Sequence, residues 1–399
     1  MKKPNINKLN PMQFLKMGPE RDAIIENAPA TPVKETKEYK ANALAKELHP
    51  KKQYLKVRNV IERSNDVKSY ILTADGEKGT KKLAYFSAGQ YLSIELKVGE
   101  ALLNRPYSIS STPKQALNGE YVLTIKRVDG GLATNYILDN WEVGTEVVAS
   151  APCGKFTYEP LRDAKTVIGI AGGSGITPFY SFAGAIADGT EDFDLILIYG
   201  ARNESEILFK PEFEELCQRS SRIKTVYVLS EEENENYEHG FITAEIIKKY
   251  APYGEFSIFM CGPQGMYNFV DKQIEELNLR RKFVRHELFG EYRNPNKDED
   301  YPENVADRFK LTISIRNEKT AMVAYANDTI LNTLEKNGVP APSRCRSGEC
   351  GFCRARLVSG EVYVPKTVDG RRKADFDYGY IHPCCTFPIS NVEIDIPRP

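Results

Sequence analysis

TVIGIAGGSGITPFYSFAGAIAD, residues 166–188, changes texture twice. Its first part, TVIGIAG (166–172), is a continuous apolar run, which predicts a buried strand. Gly172, Gly173 and Gly175 then predict a turn, and PFYSFAGAIAD a helix. The rhythm returns downstream. LILIYGA (195–201), KTVYVLS (224–230) and FSIFMCG (256–262) read as strands, with EFEELCQRS, AEIIKKY and MYNFVDKQIEEL as helices. Strands alternating with helices predict a doubly wound parallel sheet over 162–292. Such sheets bind ligands at the carboxyl ends of their strands. The glycines of AGGSGITP (171–178) let the backbone approach a pyrophosphate, and the helix that follows Thr177 and Pro178 attracts it through its dipole. The spacing is not G-x-G-x-x-G.

Upstream, residues 51–161 carry a different pattern. YLKVRNVIE, VKSYILTA, QYLSIEL, YVLTIKRV and TEVVAS alternate with period 2 between turn residues, which predicts an antiparallel β-barrel. After one strand comes RPYSISS (105–111), where a guanidinium, a ring face and hydroxyls lie together. That set suits a ligand with a flat ring and a phosphate. IKRVDGGLATNYI (125–137) offers a glycine pair and a helix start, a ready phosphate seat. PCGKF (152–156) closes the barrel. Residues 1–50 hold scattered prolines and one helical pattern, ETKEYKANALAKEL (35–48), and read as an irregular arm.

Downstream, RNPNKDEDYPEN is polar and aperiodic, so 293–305 reads as a linker. Residues 306–399 open with a hairpin-like pair, FKLTISI and KTAMVAYA, followed by the helix TILNTLEKNG and then CRSGECGFC (345–353). Cys345, Cys350 and Cys353 have the spacing C-x4-C-x2-C, and a CC pair follows at 384–385. A zinc ribbon pairs two C-x2-C knuckles, and only one is present. A plant-type [2Fe–2S] centre needs this spacing plus one distant cysteine. Gly348 and Gly351 give the loop freedom to wrap such a cluster. Iron–sulfur is the favoured reading and zinc the alternative.

Composition narrows the classes. The chain has 399 residues, a formal net charge of −1 and 41% hydrophobic residues. That balance gives no footprint for nucleic acid. No apolar run reaches a membrane span and no signal peptide is visible, so a reducing cytoplasm is the expected setting. There, clustered cysteines are metal ligands more often than disulfides.

RPYSISS, IKRVDGGLATNYI, AGGSGITP and MCGPQGM (260–266), in this order, resemble the ferredoxin–NADP reductase superfamily. Residues 306–399, closing on HPCCTFPISNVEIDI, resemble a plant-type ferredoxin domain of the β-grasp type. The resemblance implies FAD, or alternatively FMN, held by Arg105, Pro106, Tyr107, Ser108, Ile125, Lys126, Gly131, Leu132, Ala133 and Thr134. It implies NADH or NADPH on Gly172, Gly173, Gly175, Thr177 and Pro178, with Gly262 and Pro263 beside the nicotinamide. Ser108, Cys261 and Glu287 are then the catalytic candidates, and Glu287 and Phe289 border the flavin. The cluster ligands are Cys345, Cys350, Cys353 and Cys384. Arg202 is the candidate partner of a 2′-phosphate, but no second basic residue follows before Lys210, which favours NADH.

A nicotinamide gives two electrons together and a cluster accepts one, so a flavin between them converts pairs into singles. The chain therefore reads as an electron-transfer reductase serving a protein acceptor. The alternatives are a stand-alone NAD(P)H oxidoreductase working on small acceptors and a non-catalytic redox sensor. Arg344, Arg346, Arg354, Arg356, Lys366, Arg371, Arg372 and Lys373 face only Glu349, Glu361 and Asp369 in the same stretch. This predicts a basic rim around the cluster and an acidic docking face on the acceptor.

Overall fold

The computed structural model describes residues 11–27, 39–287, 290–315 and 318–397. The chain divides into a unit over 1–45 and a compact unit over 46–399. The first holds α1 (Pro11–Glu26) and most of α2 (Lys40–Leu48). The arm is thus helical over Pro11–Glu26, where an irregular segment was expected. Pro11 stands at the helix start, where no N–H is needed, and only Pro19 falls inside. The expected helical pattern at 35–48 is present from Lys40; residues 35–38 lie outside the described residues.

The larger unit opens with six strands: β1 (Gln53–Ser64), β2 (Val67–Ala74), β3 (Tyr91–Val98), β4 (Ala101–Ser108), β5 (Tyr121–Lys126) and β6 (Glu146–Ala149). Their order is β4-β3-β6-β1-β2-β5, every pair antiparallel. A bridge between Ile109 and Leu123 links the end of β4 back towards β5. Alternate residues, among them Leu55, Val57, Leu92 and Ile94, fill the interior. α3 (Pro113–Leu117) and α4 (Leu132–Asn140) flank the sheet. Trp141 ends α4 and packs edge-on against Tyr70 at 5.3 Å. Arg105 to Ser108, expected just after a strand, lie within β4, with Ser108 paired to Tyr91.

Next come β7 (Thr166–Gly172), α5 (Thr177–Ala187), β8 (Asp194–Ala201), α6 (Lys210–Arg219), β9 (Ile223–Leu229), β10 (Glu238–His239), α7 (Ala244–Tyr250), β11 (Ser257–Cys261), α8 (Gln264–Glu275) and β12 (Val284–His286). The order β10-β9-β8-β7-β11-β12 is parallel throughout. The chain winds outward from β7 to β10 and then returns to the other side of β7. That reversal leaves a crevice at the carboxyl ends of β7 and β11, where Cys261 pairs with Ala171 and Gly262 lies beside Gly172. Phe156, from PCGKF, reaches out of the barrel into this layer. Its ring lies 5.2 Å from Phe259, 5.8 Å from Phe179 and 5.9 Å from Phe182. Barrel and sheet therefore share one hydrophobic core, which fixes their mutual position.

The last layer contains β13 (Arg308–Ile315), β14 (Glu318–Tyr325), α9 (Ile330–Lys336), β15 (Ala355–Ser359), β16 (Val362–Tyr363), α10 (Lys373–Asp377), β17 (Tyr380–Ile381), β18 (Phe387–Pro388) and β19 (Val392–Asp395). Five strands run in the order β14-β13-β19-β15-β17, and β16 pairs with β18. The hairpin-like pair expected at the start is present as β13 and β14. Ile330 and Leu334 of α9 pack on Leu311, Ile313 and Ile394 of this mixed sheet. Among the described residues, no helix is long and apolar enough to cross a membrane.

Candidate functional site

A cavity of about 790 Å³ opens where the three layers meet. Arg105, Pro106, Tyr107 and Ser108 of β4 form one wall, with Ile125 and Lys126 of β5. Gly131, Leu132, Ala133 and Thr134, at the start of α4, form another. The crevice of the parallel sheet supplies Gly172, Gly173, Gly175 and Thr177 on one side, and Cys261, Gly262 and Pro263 on the other. Four stretches distant in sequence thus converge on one space, of a size that suits a cofactor. Pro178 does not reach it; it is buried in the first turn of α5. Arg202 lies in a second, adjoining cavity. Glu287 is buried and lines neither cavity, and Phe289 lies outside the described residues.

The glycines of the crevice are needed for packing as well as for a ligand. A Cβ on Gly175 would sit 2.1 Å from the Cys261 carbonyl oxygen, and one on Gly262 2.3 Å from Met266 Cε. The turn after β7 therefore lies hard against the turn after β11. Gly173 adopts φ +52°, a left-handed conformation with open space where its Cβ would be.

One polar atom in the cavity wall lacks a partner. Ser108 is 5% exposed, and its Oγ makes no hydrogen bond. A buried hydroxyl without a partner is costly, so this one fits a site completed by a ligand. The Cys261 thiol, 2% exposed, is pushed well up by burial and by the nearby Glu287, which keeps it protonated. Glu287 is itself pushed well up, by burial first and then by Glu349 and Cys345. Its carboxyl thus lies within electrostatic reach of both the crevice and the cysteine loop.

In that loop the backbone turns its N–H groups onto sulfur. Cys350 N donates to Cys345 Sγ and Phe352 N to Cys350 Sγ, each at 3.4 Å. Gly348 has φ +83°, and a Cβ there would meet the Val368 carbonyl oxygen at 2.0 Å. The sulfurs contact in two pairs, Cys345 with Cys350, and Cys353 with Cys384 at 3.4 Å. The Cys385 thiol donates to the His382 carbonyl at 3.5 Å and also lies against the Cys384 sulfur. Among the described residues, no three His, Cys, Asp or Glu side chains converge on a single-ion position. Two pairs suit a two-iron cluster with two thiolates per iron better than one tetrahedral zinc.

Known proteins divide the chain in the same order. Residues 52–158 match the oxidoreductase FAD-binding domain, 170–272 the oxidoreductase NAD-binding domain, and 314–389 the 2Fe-2S iron-sulfur cluster binding domain. The chain belongs to the ferredoxin–NADP reductase superfamily, with a C-terminal [2Fe–2S] ferredoxin domain. The glycine betaine monooxygenase reductase subunit of Chromohalobacter salexigens is 27% identical over 354 residues, covering 84% of this chain and 93% of the relative. The stachydrine N-demethylase reductase subunit of Rhizobium meliloti is 29% identical over 313 residues, covering 77% and 87%. Among solved structures, phthalate dioxygenase reductase superposes with a TM-score of 0.61 at 25% identity, covering 87% of this chain and 98% of that one. The protein is an oxidoreductase that uses FAD and a [2Fe–2S] cluster to carry electrons from a nicotinamide dinucleotide towards a redox partner protein.

One part of this reductase was not anticipated from sequence. The flavin cavity is also lined by Glu291 to Asn294 of the connecting segment, and by Asn332, Glu335 and Arg346 of the ferredoxin domain. α9 lies against β4. Arg346, next to Cys345, was expected on a basic rim; it is 2% exposed and takes a left-handed φ of 61°. Its guanidinium donates to Glu335 at 2.6 Å, to Glu291 through two nitrogens and to Asn332. Arg105, expected to hold the flavin, also bonds Glu335 at 2.9 Å and lies 3.3 Å from Glu291. The Asn104 N–H completes the Glu335 carboxylate at 3.1 Å. Burial acts to raise the Glu291 carboxyl, but the Arg346 and Arg105 guanidiniums outweigh it and hold it down to about 2. A closed square of two arginines and two glutamates thus joins the flavin strand, the connecting segment, α9 and the cysteine loop. The sequence held one signal for it: Glu335 falls four positions after Leu331 and beside Leu334, on the apolar stripe of α9, where a charge must be paired.

Proposed function

We propose that this chain is the NADH-oxidising component of a multicomponent oxygenase system in the cytoplasm, with flavin, nucleotide and ferredoxin domains at 51–161, 162–292 and 306–399 and a linker at 293–305. The carrying observation is the single cavity whose wall includes β4, the nucleotide crevice and Arg346, the residue beside a cluster cysteine. Hydride donor, flavin and cluster are then neighbours, and no large domain motion is needed between them. When bound, the flavin supplies the conversion of a two-electron donor into one-electron steps. The Ser108 hydroxyl donates to the hydride-accepting edge of the ring, and Tyr107 offers it a face. Gly131 to Thr134 and Lys126 receive phosphate. Gly172, Gly173, Gly175 and Thr177 seat the dinucleotide's pyrophosphate, and Cys261 to Pro263 position the nicotinamide. Cys345, Cys350, Cys353 and Cys384 would hold the two-iron cluster. An oxygenase as acceptor is suggested by relatives named as reductase subunits of monooxygenase and demethylase systems.

The docking face is narrower than the eight basic residues implied. Arg346 is internal, and Arg354, Arg371 and Lys366 are paired with Asp375, Asp369 and Asp300. Arg344, Arg356, Arg372 and Lys373 make no ion pair among the described residues. Arg344 stacks 3.9 Å over the ring of Phe352, which is 45% exposed beside Cys353. A cationic, aromatic surface next to the cluster favours an acidic partner. The test uses the protein purified without oxygen. It should carry one flavin and one two-iron cluster per chain, and NADH should bleach both. Electron delivery to its oxygenase should slow as salt rises and in Arg344→Glu. Colourless protein would overturn the reductase reading, and salt-indifferent delivery the acidic docking face alone.

A further inference from the structure

Beside the flavin cavity lies a second one of about 510 Å³, sharing Gly172, Gly173, Lys126 and Pro263 with it. A dinucleotide seated on the glycine turn would extend its other half into this space. Two observations describe what it accepts. Its mouth is aromatic: Phe241, 67% exposed, and Phe269, 39% exposed, lie 5.7 Å apart at 52°, a platform for a flat base. Its charged lining is Lys126, Arg202 and Glu206, and Lys126 is paired with Asp66 at 3.5 Å. Arg202 lines the cavity, but Glu206, four residues on, grips the guanidinium through both carboxylate oxygens, Nε to Oε2 at 3.0 Å and Nη2 to Oε1. Glu231 donates its backbone N–H to the Arg202 carbonyl at 2.9 Å and adds a second carboxylate nearby. Lys210, the next basic residue, is turned away onto Glu204 and the Tyr237 hydroxyl.

We infer that Glu206 is the residue that restricts this reductase to the dinucleotide without a 2′-phosphate. The inference rests on the reading of the co-substrate above and deepens it. Hydroxyls of an adenosine ribose can donate to the Glu206 carboxylate while Arg202 stays gripped. A 2′-phosphate has no proton to donate in that way and carries nearly two charges. It would have to displace Glu206 from Arg202 and then sit beside the released carboxylate and Glu231. The exposed ion pair is easily broken, so the barrier is the like charge that remains, not the pair itself. Arg202, the evident phosphate partner by sequence, is thereby disabled by a carboxylate four residues on in the same loop.

The experiment compares wild type, Glu206→Gln and Glu206→Gln/Arg202→Met as purified holoenzymes. Calorimetry measures 5′-AMP against adenosine 2′,5′-bisphosphate, and kinetics give the NADPH-to-NADH ratio of kcat/KM. In Glu206→Gln, bisphosphate binding should tighten about tenfold, a change of about 1.4 kcal/mol. The NADPH-to-NADH ratio should rise in parallel, and Arg202→Met should cancel both gains. A Glu206→Gln ratio equal to wild type, or a wild type that takes NADPH as readily as NADH, overturns the inference while leaving the reductase reading intact. A wild type that neither binds 5′-AMP nor oxidises NADH overturns both.

Discussion

The nucleotide crevice and the ferredoxin seam both border the flavin cavity, and they are built by opposite means. The crevice is made of backbone. Gly172, Gly175 and Gly262 let two turns close on each other, and no charged side chain is needed there. The seam is made of side chains. Arg105, Glu291, Glu335 and Arg346 come from four segments and neutralise one another out of water. A crevice of that kind tolerates exchange of ligand, because its donors are main-chain groups already in place. A seam of that kind holds a domain in one register, because each charge is satisfied in a single arrangement. Hydride exchange needs the first property, and a fixed distance from flavin to cluster needs the second.

The largest effect should come from opening the square. Arg346→Ala leaves Glu335, 2% exposed, with a buried and partly unmatched charge. Removing one partner of a buried pair costs about 3–5 kcal/mol. Denaturant unfolding should show that loss, and proteolysis should reach the 293–305 segment faster. Arg346→Met with Glu335→Leu should recover much of it, since apolar replacement of a whole buried pair is well tolerated. If the single variant is as stable as wild type, the seam is not held by charge.

Acid should act on the same square. The folded-state value of Glu291, about 2, lies below the 4.5 of a free glutamate. A depressed carboxyl contributes its stability in full above the unfolded value and loses it as pH falls towards the folded one. The contribution is about 3 kcal/mol at neutral pH. Stability measured between pH 5 and pH 2 should fall by that amount, and Glu291→Gln should flatten this part of the profile.

The same contrast explains what the sequence disclosed. The glycine turn, Arg105 to Ser108 and the cysteine spacing were legible because each is one short stretch whose chemistry follows from neighbours along the chain; the Cys-Gly-Pro segment was legible only by its resemblance to the family. That the sheet is parallel and doubly wound was legible from alternating strands and helices; the strand order that sets β11 beside β7 was not read from them. The square was not, because its partners come from four separate segments and no motif links them; only Glu335, on the apolar stripe of α9, hinted at a buried partner. Arg346 was accordingly counted towards a basic rim, and Arg105 assigned to the flavin alone. The helix at Pro11–Glu26 was hidden by its prolines: Pro11 stands at the start, where no N–H is needed, but Pro19 lies inside without ending the helix.

The crevice can be challenged by a single methyl group. Gly175→Ala would place a Cβ 2.1 Å from the Cys261 oxygen, so one of the two turns must move. Overpacking of this kind costs about 1–3 kcal/mol. The damage should appear as a raised KM for NADH, with proteolysis of the 293–305 segment as in wild type. Gly173→Ala is the control: its Cβ meets open space and only the left-handed φ opposes it, at about 1 kcal/mol.

The smallest effect on stability should accompany a large effect on function. The Ser108 Oγ is buried and without a partner in the protein itself, so it contributes nothing to the cofactor-free fold and costs some desolvation. Ser108→Ala should leave the unfolding free energy of the flavin-free protein unchanged or raise it by less than about 1 kcal/mol. If the hydroxyl donates to the hydride-accepting edge, losing one placed donor should slow flavin reduction by NADH about ten- to hundredfold in rapid mixing. Loss of stability without loss of rate would mean that Ser108 belongs to the barrel rather than to the reaction. A slow reduction in a fully stable protein would locate the hydride step at β4, on the wall shared by crevice and seam.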